Sequence, residues 1–106
     1  MEYTGIEEKY GPGPQFFALK DNYPNPFNPT TNITFNVPKN AFVTLDVVNV
    51  NGQKIRTLVN EQRATGTHTV TWDGYDDQGR QMPSGVYFYQ MAAEDFSKTR
   101  KMLLAR

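Results

Sequence analysis

Hydrophobic and polar residues alternate with a period of two along most of the chain from residue 16 onward. This pattern predicts β-strands with one buried face. Seven short strands are predicted, at residues 16–19, 32–37, 42–49, 53–59, 67–72, 86–91 and 96–104. Asn51-Gly52 predicts a tight hairpin between the third and fourth strands, because both residues accept positive φ. Seven strands at this spacing, with no helical pattern, predict an all-β fold, an antiparallel β-sandwich.

The alternation also predicts which side chains fill the core. Trp72 is expected at the centre, and Tyr87 and Tyr89 are expected to bury their rings while each hydroxyl reaches a partner. The predicted core residues are Ile33, Phe35, Val43, Leu45, Val47, Val70, Trp72, Tyr87 and Tyr89.

Two parts of the chain differ in composition. Residues 1–15 are polar and end in alternating glycine and proline, which disfavours regular structure and predicts a flexible tether to an upstream cargo domain. Residues 16–106 are the right length for one domain.

Composition and charge exclude several classes of protein. The 11 basic and 11 acidic residues cancel, so the chain has no net positive charge that would favour binding to nucleic acid. No apolar run is long enough to span a membrane. The chain has no cysteine, which excludes disulfides, thiolate catalysis and zinc–sulfur sites.

No arrangement of residues predicts catalysis or a bound cofactor. His68 is the only histidine, and its position on the inward face of a strand favours a partly buried residue. Asp73, Asp76 and Asp77 lie in a turn-rich loop without the spacing of an EF-hand. Calcium binding by this loop is left open, and the chain is not expected to be an enzyme.

The proline-rich segment at residues 22–31 has two interpretations. It is a rigid connection in which Tyr23 or Phe27 plugs one end of the sandwich, or it is an exposed recognition loop. The first is favoured, because the prolines explain the geometry without a ligand. A carbohydrate-binding alternative would use the rings of Tyr23, Phe27 and Tyr75.

Residues 98–106, which include most of the last strand, combine four basic residues with Met102-Leu103-Leu104. Such charges discourage aggregation at a sheet edge. A terminal strand with unpaired backbone groups is also a candidate for docking by strand addition.

Together, several segments resemble a known family. They are residues 22–31, Val43-x-Leu45-x-Val47, and residues 51–55, 66–74, 84–89 and 101–104. In this order they resemble the type A C-terminal sorting domain of the type IX secretion system. They are also similar to the immunoglobulin-like domain of the flagellar hook-capping protein.

The resemblance implies a fold and a function. The fold is an immunoglobulin-like sandwich. The function is a non-catalytic secretion signal for an exported cargo, and any enzyme activity would belong to the cargo. The implied partners are the outer-membrane type IX translocon, a sortase-like signal peptidase that cleaves near residues 10–15, and the cargo domain. The implied route leads through the periplasm to the cell surface or the medium.

By the same resemblance, sorting recognition falls on one set of residues. They are Pro24, Asn25, Pro26, Gly52, Gly85, Tyr87, Lys101, Met102, Leu103, Leu104 and Arg106. The alternative functions are a structural immunoglobulin-like domain and a carbohydrate-binding accessory domain of a secreted enzyme.

Overall fold

The computed structural model describes residues 13–106. Most of the predicted tether, residues 1–12, lies outside the described residues. Within residues 13–106 the chain is all-β, with seven strands in two antiparallel sheets. The predicted immunoglobulin-like sandwich is confirmed.

The seven strands are numbered in chain order. They are β1 (Ala18–Leu19), β2 (Thr31–Val37), β3 (Ala41–Val48), β4 (Lys54–Arg63), β5 (Gly66–Trp72), β6 (Gly85–Ala93) and β7 (Phe96–Leu104). One sheet has the order β1-β2-β5 and the other has the order β4-β3-β6-β7. β7 is therefore an edge strand of the larger sheet, paired to β6 along its whole length from Phe96 to Leu104.

The core lies between the two sheets and follows the alternation of the sequence. Of the predicted core residues, Ile33, Phe35, Val43, Leu45, Val47, Trp72, Tyr87 and Tyr89 are buried. Val70 is half-buried and packs against this cluster, because β5 is an edge strand. The proline-rich segment, β6 and β7 add further buried side chains, which include Phe27, Met91, Met102 and Leu104.

Five of the seven strands differ in length from their prediction, by one to three residues. β1 contains only Ala18–Leu19, and Phe16 is 76% exposed. β4 continues to Arg63, so the prediction that this strand ends at residue 59 is wrong. Its polar end pairs with β3, in a register that joins Arg63 to Ala41. An edge strand tolerates such residues because much of its surface meets water.

His68 is half-buried on the inward side of β5. Its ring stacks on Phe35 with 5.3 Å between centroids. Nε2 lies 2.8 Å from the carbonyl oxygen of Ala64, to which it donates, while Nδ1 lies 3.4 Å from a guanidinium nitrogen of Arg63. These contacts assign the histidine a packing role.

Alkaline pH should destabilise the fold through Tyr89. Its hydroxyl donates to the carbonyl oxygen of Lys20 at 2.8 Å, and burial raises its pKa from 10.0 to about 12. Above pH 10 the unfolded chain loses this proton while the folded chain keeps it. The contribution of the neutral Tyr89 hydroxyl to stability is therefore complete below pH 10 and is lost as pH rises through about 12. We expect the free energy of unfolding to fall by about 2–3 kcal/mol over that interval.

Urea unfolding at a series of alkaline pH values measures this dependence. Tyr89→Phe is the comparison, because it removes the titrating hydroxyl and keeps the ring. Burial also raises the pKa of Tyr87. Because Tyr87 is present in both proteins, its titration does not affect the comparison. An equal pH slope in the two proteins would contradict the assignment.

Candidate functional site

The proline-rich segment, residues 22–31, lies along the end of β7. The Asn25 side-chain oxygen accepts from the Leu103 N–H at 3.0 Å. The Phe27 N–H donates to the Leu103 carbonyl at 3.0 Å, and the Ala105 N–H donates to the Phe27 carbonyl at 2.9 Å. Phe27 and Leu104 form a parallel bridge. The segment thus extends the edge of the larger sheet by one short parallel pairing.

Hydrogen bonds within the segment hold it in this position. The Thr31 hydroxyl donates to the Pro24 carbonyl at 2.8 Å, and the Asn22 amide donates to Thr31 Oγ1 at 2.9 Å. Asn22 and Thr31 are both buried. The backbones of Tyr23 and Asn32 exchange two hydrogen bonds of 2.9 Å. The segment is therefore tied to β2 at one side and to β7 at the other.

Phe27 is the side chain that plugs the sandwich. It is 1% exposed, and its ring centroid lies 5.6 Å from that of Trp72. Tyr87 meets Trp72 edge-on at 5.2 Å and donates its hydroxyl to the Pro83 carbonyl at 2.8 Å. Tyr23, in contrast, is 78% exposed. The sugar platform of three rings that the sequence suggested is wrong, because the buried Phe27 cannot reach a ligand.

Arg106 joins the end of the chain to two loops. Its N–H donates to Ser84 Oγ at 2.9 Å, and its Nε donates to the Met82 carbonyl at 2.7 Å. Its Nη2 donates to the Gly74 carbonyl at 3.0 Å. Gly74 has φ +81°, and a Cβ there would lie 2.6 Å from Nη2. Glycine at this position provides both the turn and the space for the guanidinium.

These contacts define a terminal surface, made of the proline-rich segment, residues 82–87 and residues 101–106. It contains most of the residues predicted for sorting recognition: Pro24, Asn25, Pro26, Gly85, Tyr87, Lys101, Met102, Leu103, Leu104 and Arg106. Gly52 lies in the β3–β4 turn, with φ +80°. Asn49 and Val50 of that turn line a groove of about 310 Å³ together with residues 82–87.

The predicted sorting residues differ in what they can contact. Met102 and Leu104 are buried, so they belong to the core. Lys101 is exposed, and Leu103 is 40% exposed. With Asn25, these two side chains line a second groove of about 160 Å³. Of the predicted sorting residues on β7, Lys101 and Leu103 are therefore the two that are open to solvent.

The proline-rich segment covers part of the edge of the last strand, which was predicted as a candidate for docking by strand addition. The proline-rich segment already pairs with Leu103 and Ala105. Strand addition at this end is therefore blocked by the chain itself. Periodicity gives no sign of this contact, because its partners are 78 residues apart.

Arginine side chains organise the acidic loop after β5. A guanidinium nitrogen of Arg56 lies 2.9 Å from Asp73 Oδ1 and donates to the Tyr75 carbonyl at 2.9 Å. Asp77 accepts from the Thr57 N–H at 3.2 Å. Two carboxylates that could attract calcium therefore face a guanidinium and a backbone N–H.

Asp76 is buried at the centre of the same loop. It accepts from the backbone N–H groups of Gln78 and Arg80 and from Arg80 Nε, at 2.8–2.9 Å. These bonds, above all that from the Arg80 N–H, hold the pKa of Asp76 below its ordinary value. Within residues 13–106, no group of three acidic or histidine side chains is placed to hold a metal ion.

The described part of the chain contains no helix that could cross a lipid bilayer.

Comparison with known proteins relates the chain to one family. The family model of the FlgD Ig-like domain matches residues 22–96. No curated protein sequence gives a significant match. FlgD from P. aeruginosa is similar in structure, with 26% identity and a TM-score of 0.52. That similarity covers 71% of this chain and 60% of FlgD.

Two structures from Porphyromonas gingivalis share the fold. Dimeric latent PorU matches with a TM-score of 0.69 and 14% identity, over 90% of this chain and 10% of PorU. PorZ, described as an essential surface component of the type-IX secretion system, matches with a TM-score of 0.54 and 19% identity. That match covers 98% of this chain and 13% of PorZ. The chain thus spans only a small part of either protein.

Proposed function

We propose that this chain, which belongs to the family of FlgD Ig-like domains, is a non-catalytic sorting domain. In this proposal it directs an exported cargo protein through the outer membrane by the type IX secretion system. The cargo passes through the periplasm and ends at the cell surface or in the medium. The domain contributes recognition, and any catalytic activity belongs to the cargo.

One observation carries the proposal. The proline-rich segment and the terminal strand, which the motifs point to separately, are joined by the Asn25–Leu103 and Phe27–Ala105 hydrogen bonds. The result is one continuous surface with Lys101 and Leu103 outward. The fold shared with PorZ, a component of the type-IX system, supports this interpretation.

The proposed partners follow from the same function. The outer-membrane translocon would read the terminal surface. A sortase-like signal peptidase would cleave between the cargo and the sandwich, near residues 10–15. Residues 10–12 of that segment lie outside the described residues.

A second function is favoured by the 26% identity to P. aeruginosa FlgD. In that case the chain is a structural immunoglobulin-like domain of an assembly, and the terminal surface packs against a neighbouring domain. Fold alone does not separate the two functions, whereas an export assay does.

A reporter exported to the periplasm and fused to the whole chain tests the proposal. We expect it outside type IX-competent cells and not outside an otherwise identical translocon-deficient strain. The variant Lys101→Glu/Leu103→Asp should sharply reduce release, because it changes the charge and polarity of the exposed surface. It spares Met102 and Leu104, which a terminal deletion would remove from the core.

Lys98→Glu is the matched control, since Lys98 is exposed on the same strand but outside the terminal surface. Its release should equal that of the unchanged chain. If the double variant were released as well as the unchanged chain, the translocon would not recognise the terminal surface. Retention of the folded, unchanged fusion in both strains would overturn the sorting function and favour the structural one.

A further inference from the structure

The outer face of the smaller sheet is free of charge along its two long strands. β2 and β5 contain 7 residues each, and neither includes a lysine, arginine, aspartate or glutamate. Charged residues form 21% of the whole chain, so about three would be expected in strands of average composition. The charged side chains of the strands lie instead mainly on β4 and β7.

Hydroxyl and amide groups cover this face in rows. Six outward side chains pair across the two strands: Asn32 with Thr71, Thr34 with Thr69, and Asn36 with Thr67. Each pair is hydrogen-bonded side chain to side chain, at 2.6 Å, 2.9 Å and 3.0 Å. In the two mixed pairs the asparagine oxygen accepts, so its amide nitrogen keeps both N–H donors for a ligand.

One exposed aromatic ring extends the first row. Tyr23 pairs with Asn32 through two backbone hydrogen bonds of 2.9 Å. Residues directly opposite in an antiparallel pair present their side chains on the same face. The row is therefore Tyr23, Asn32 and Thr71. The ring is 78% exposed although its backbone is fixed on the sheet.

We propose that this face, the Tyr23 face, binds a neutral polysaccharide. The C–H side of a sugar ring would stack on Tyr23, as apolar groups do on aromatic rings. Sugar hydroxyls would exchange hydrogen bonds with the Asn32 amide and the Thr71 hydroxyl. The two remaining side-chain pairs of the face would offer hydroxyl and amide groups to the next sugar units.

β2 and β5 carry no charge, and the charged residue that the register places beside this face is Lys20, whose N–H donates to the Thr34 carbonyl at 2.9 Å. An anionic polysaccharide would need several lysine or arginine side chains along the face to compensate the desolvation of its carboxylates or sulfates, and a single lysine does not supply them. Uncharged hydroxyl and amide groups match uncharged sugars. This binding site goes beyond the proposed sorting function, because its ligand and its assay are independent of export.

Native gel electrophoresis through soluble polysaccharide tests the proposal. The probes are hydroxyethylcellulose, xylan and galactomannan, with alginate as an anionic comparison. We expect at least one neutral polymer to retard the chain and alginate not to. Tyr23→Ala should weaken that binding about tenfold, because it removes the stacking ring. Tyr23→Phe should retain it.

Phe42→Ala is the matched control, since Phe42 is 49% exposed and lies on β3, in the other sheet. It should bind like the unchanged chain. Equal losses in Tyr23→Ala and Phe42→Ala would overturn the proposal, as would undiminished binding by Tyr23→Ala. Retardation by none of the neutral polymers, or by alginate alone, would overturn it as well.

Discussion

Replacing Trp72 by alanine is expected to lower the free energy of unfolding by about 3–5 kcal/mol. The side chain is fully buried and lies between the rings of Phe27 and Tyr87. Its Nε1 also donates to the Tyr75 carbonyl at 2.9 Å, so the change leaves both a cavity and a lost hydrogen bond. Urea unfolding followed by circular dichroism measures the loss.

Phe16→Ala is the control for this experiment, because it removes a large ring from the surface. We expect a change of less than about 0.5 kcal/mol in that variant. An unfolding midpoint for Trp72→Ala equal to that of the unchanged chain would contradict the assignment of Trp72 to the core.

The variant Phe27→Ala should destabilise the chain by a similar amount, about 3–5 kcal/mol. Phe27 is the apolar side chain through which the proline-rich segment enters the core, so its loss also loosens the contact with β7. Hydrogen exchange at the amides of Leu103 and Ala105 should become faster, because both amides bond to that segment. A double-mutant cycle with Trp72→Ala should give a coupling of about 0.5–1.5 kcal/mol for the two rings.

Tyr23→Ala is the control in the same segment, since its ring is exposed. It should leave both stability and the exchange at Leu103 nearly unchanged. Faster exchange at Leu103 in Tyr23→Ala, or unchanged exchange in Phe27→Ala, would show that the plug does not hold the segment in place.

The core and the strands of this fold were predictable because their signal is local. Ile33, Phe35, Val43 and Leu45 repeat at every second position, and burial of one sheet face produces that pattern. The glycine of the β3–β4 turn was equally visible, since few other residues accept its φ of +80°.

The contacts that build the terminal surface have no local signal. Asn25 and Arg106 are polar residues in irregular segments, and nothing in their neighbours indicates Leu103 or Gly74 as partners. The same holds for Arg56, whose guanidinium meets Asp73 across 17 residues of sequence. Such contacts depend on how the two sheets come together, which periodicity does not report.

The pairing of Phe27 with Ala105 has a consequence for how the domain is made. Synthesis on a ribosome delivers the chain from its amino end, so Phe27 emerges long before the residues that cover it. The hydrogen bonds at Leu103 and Ala105 can form only after nearly the whole domain has been released. Contacts this distant in sequence also slow folding. The nascent domain therefore spends its synthesis incomplete, with its aromatic plug unprotected until the final residues arrive.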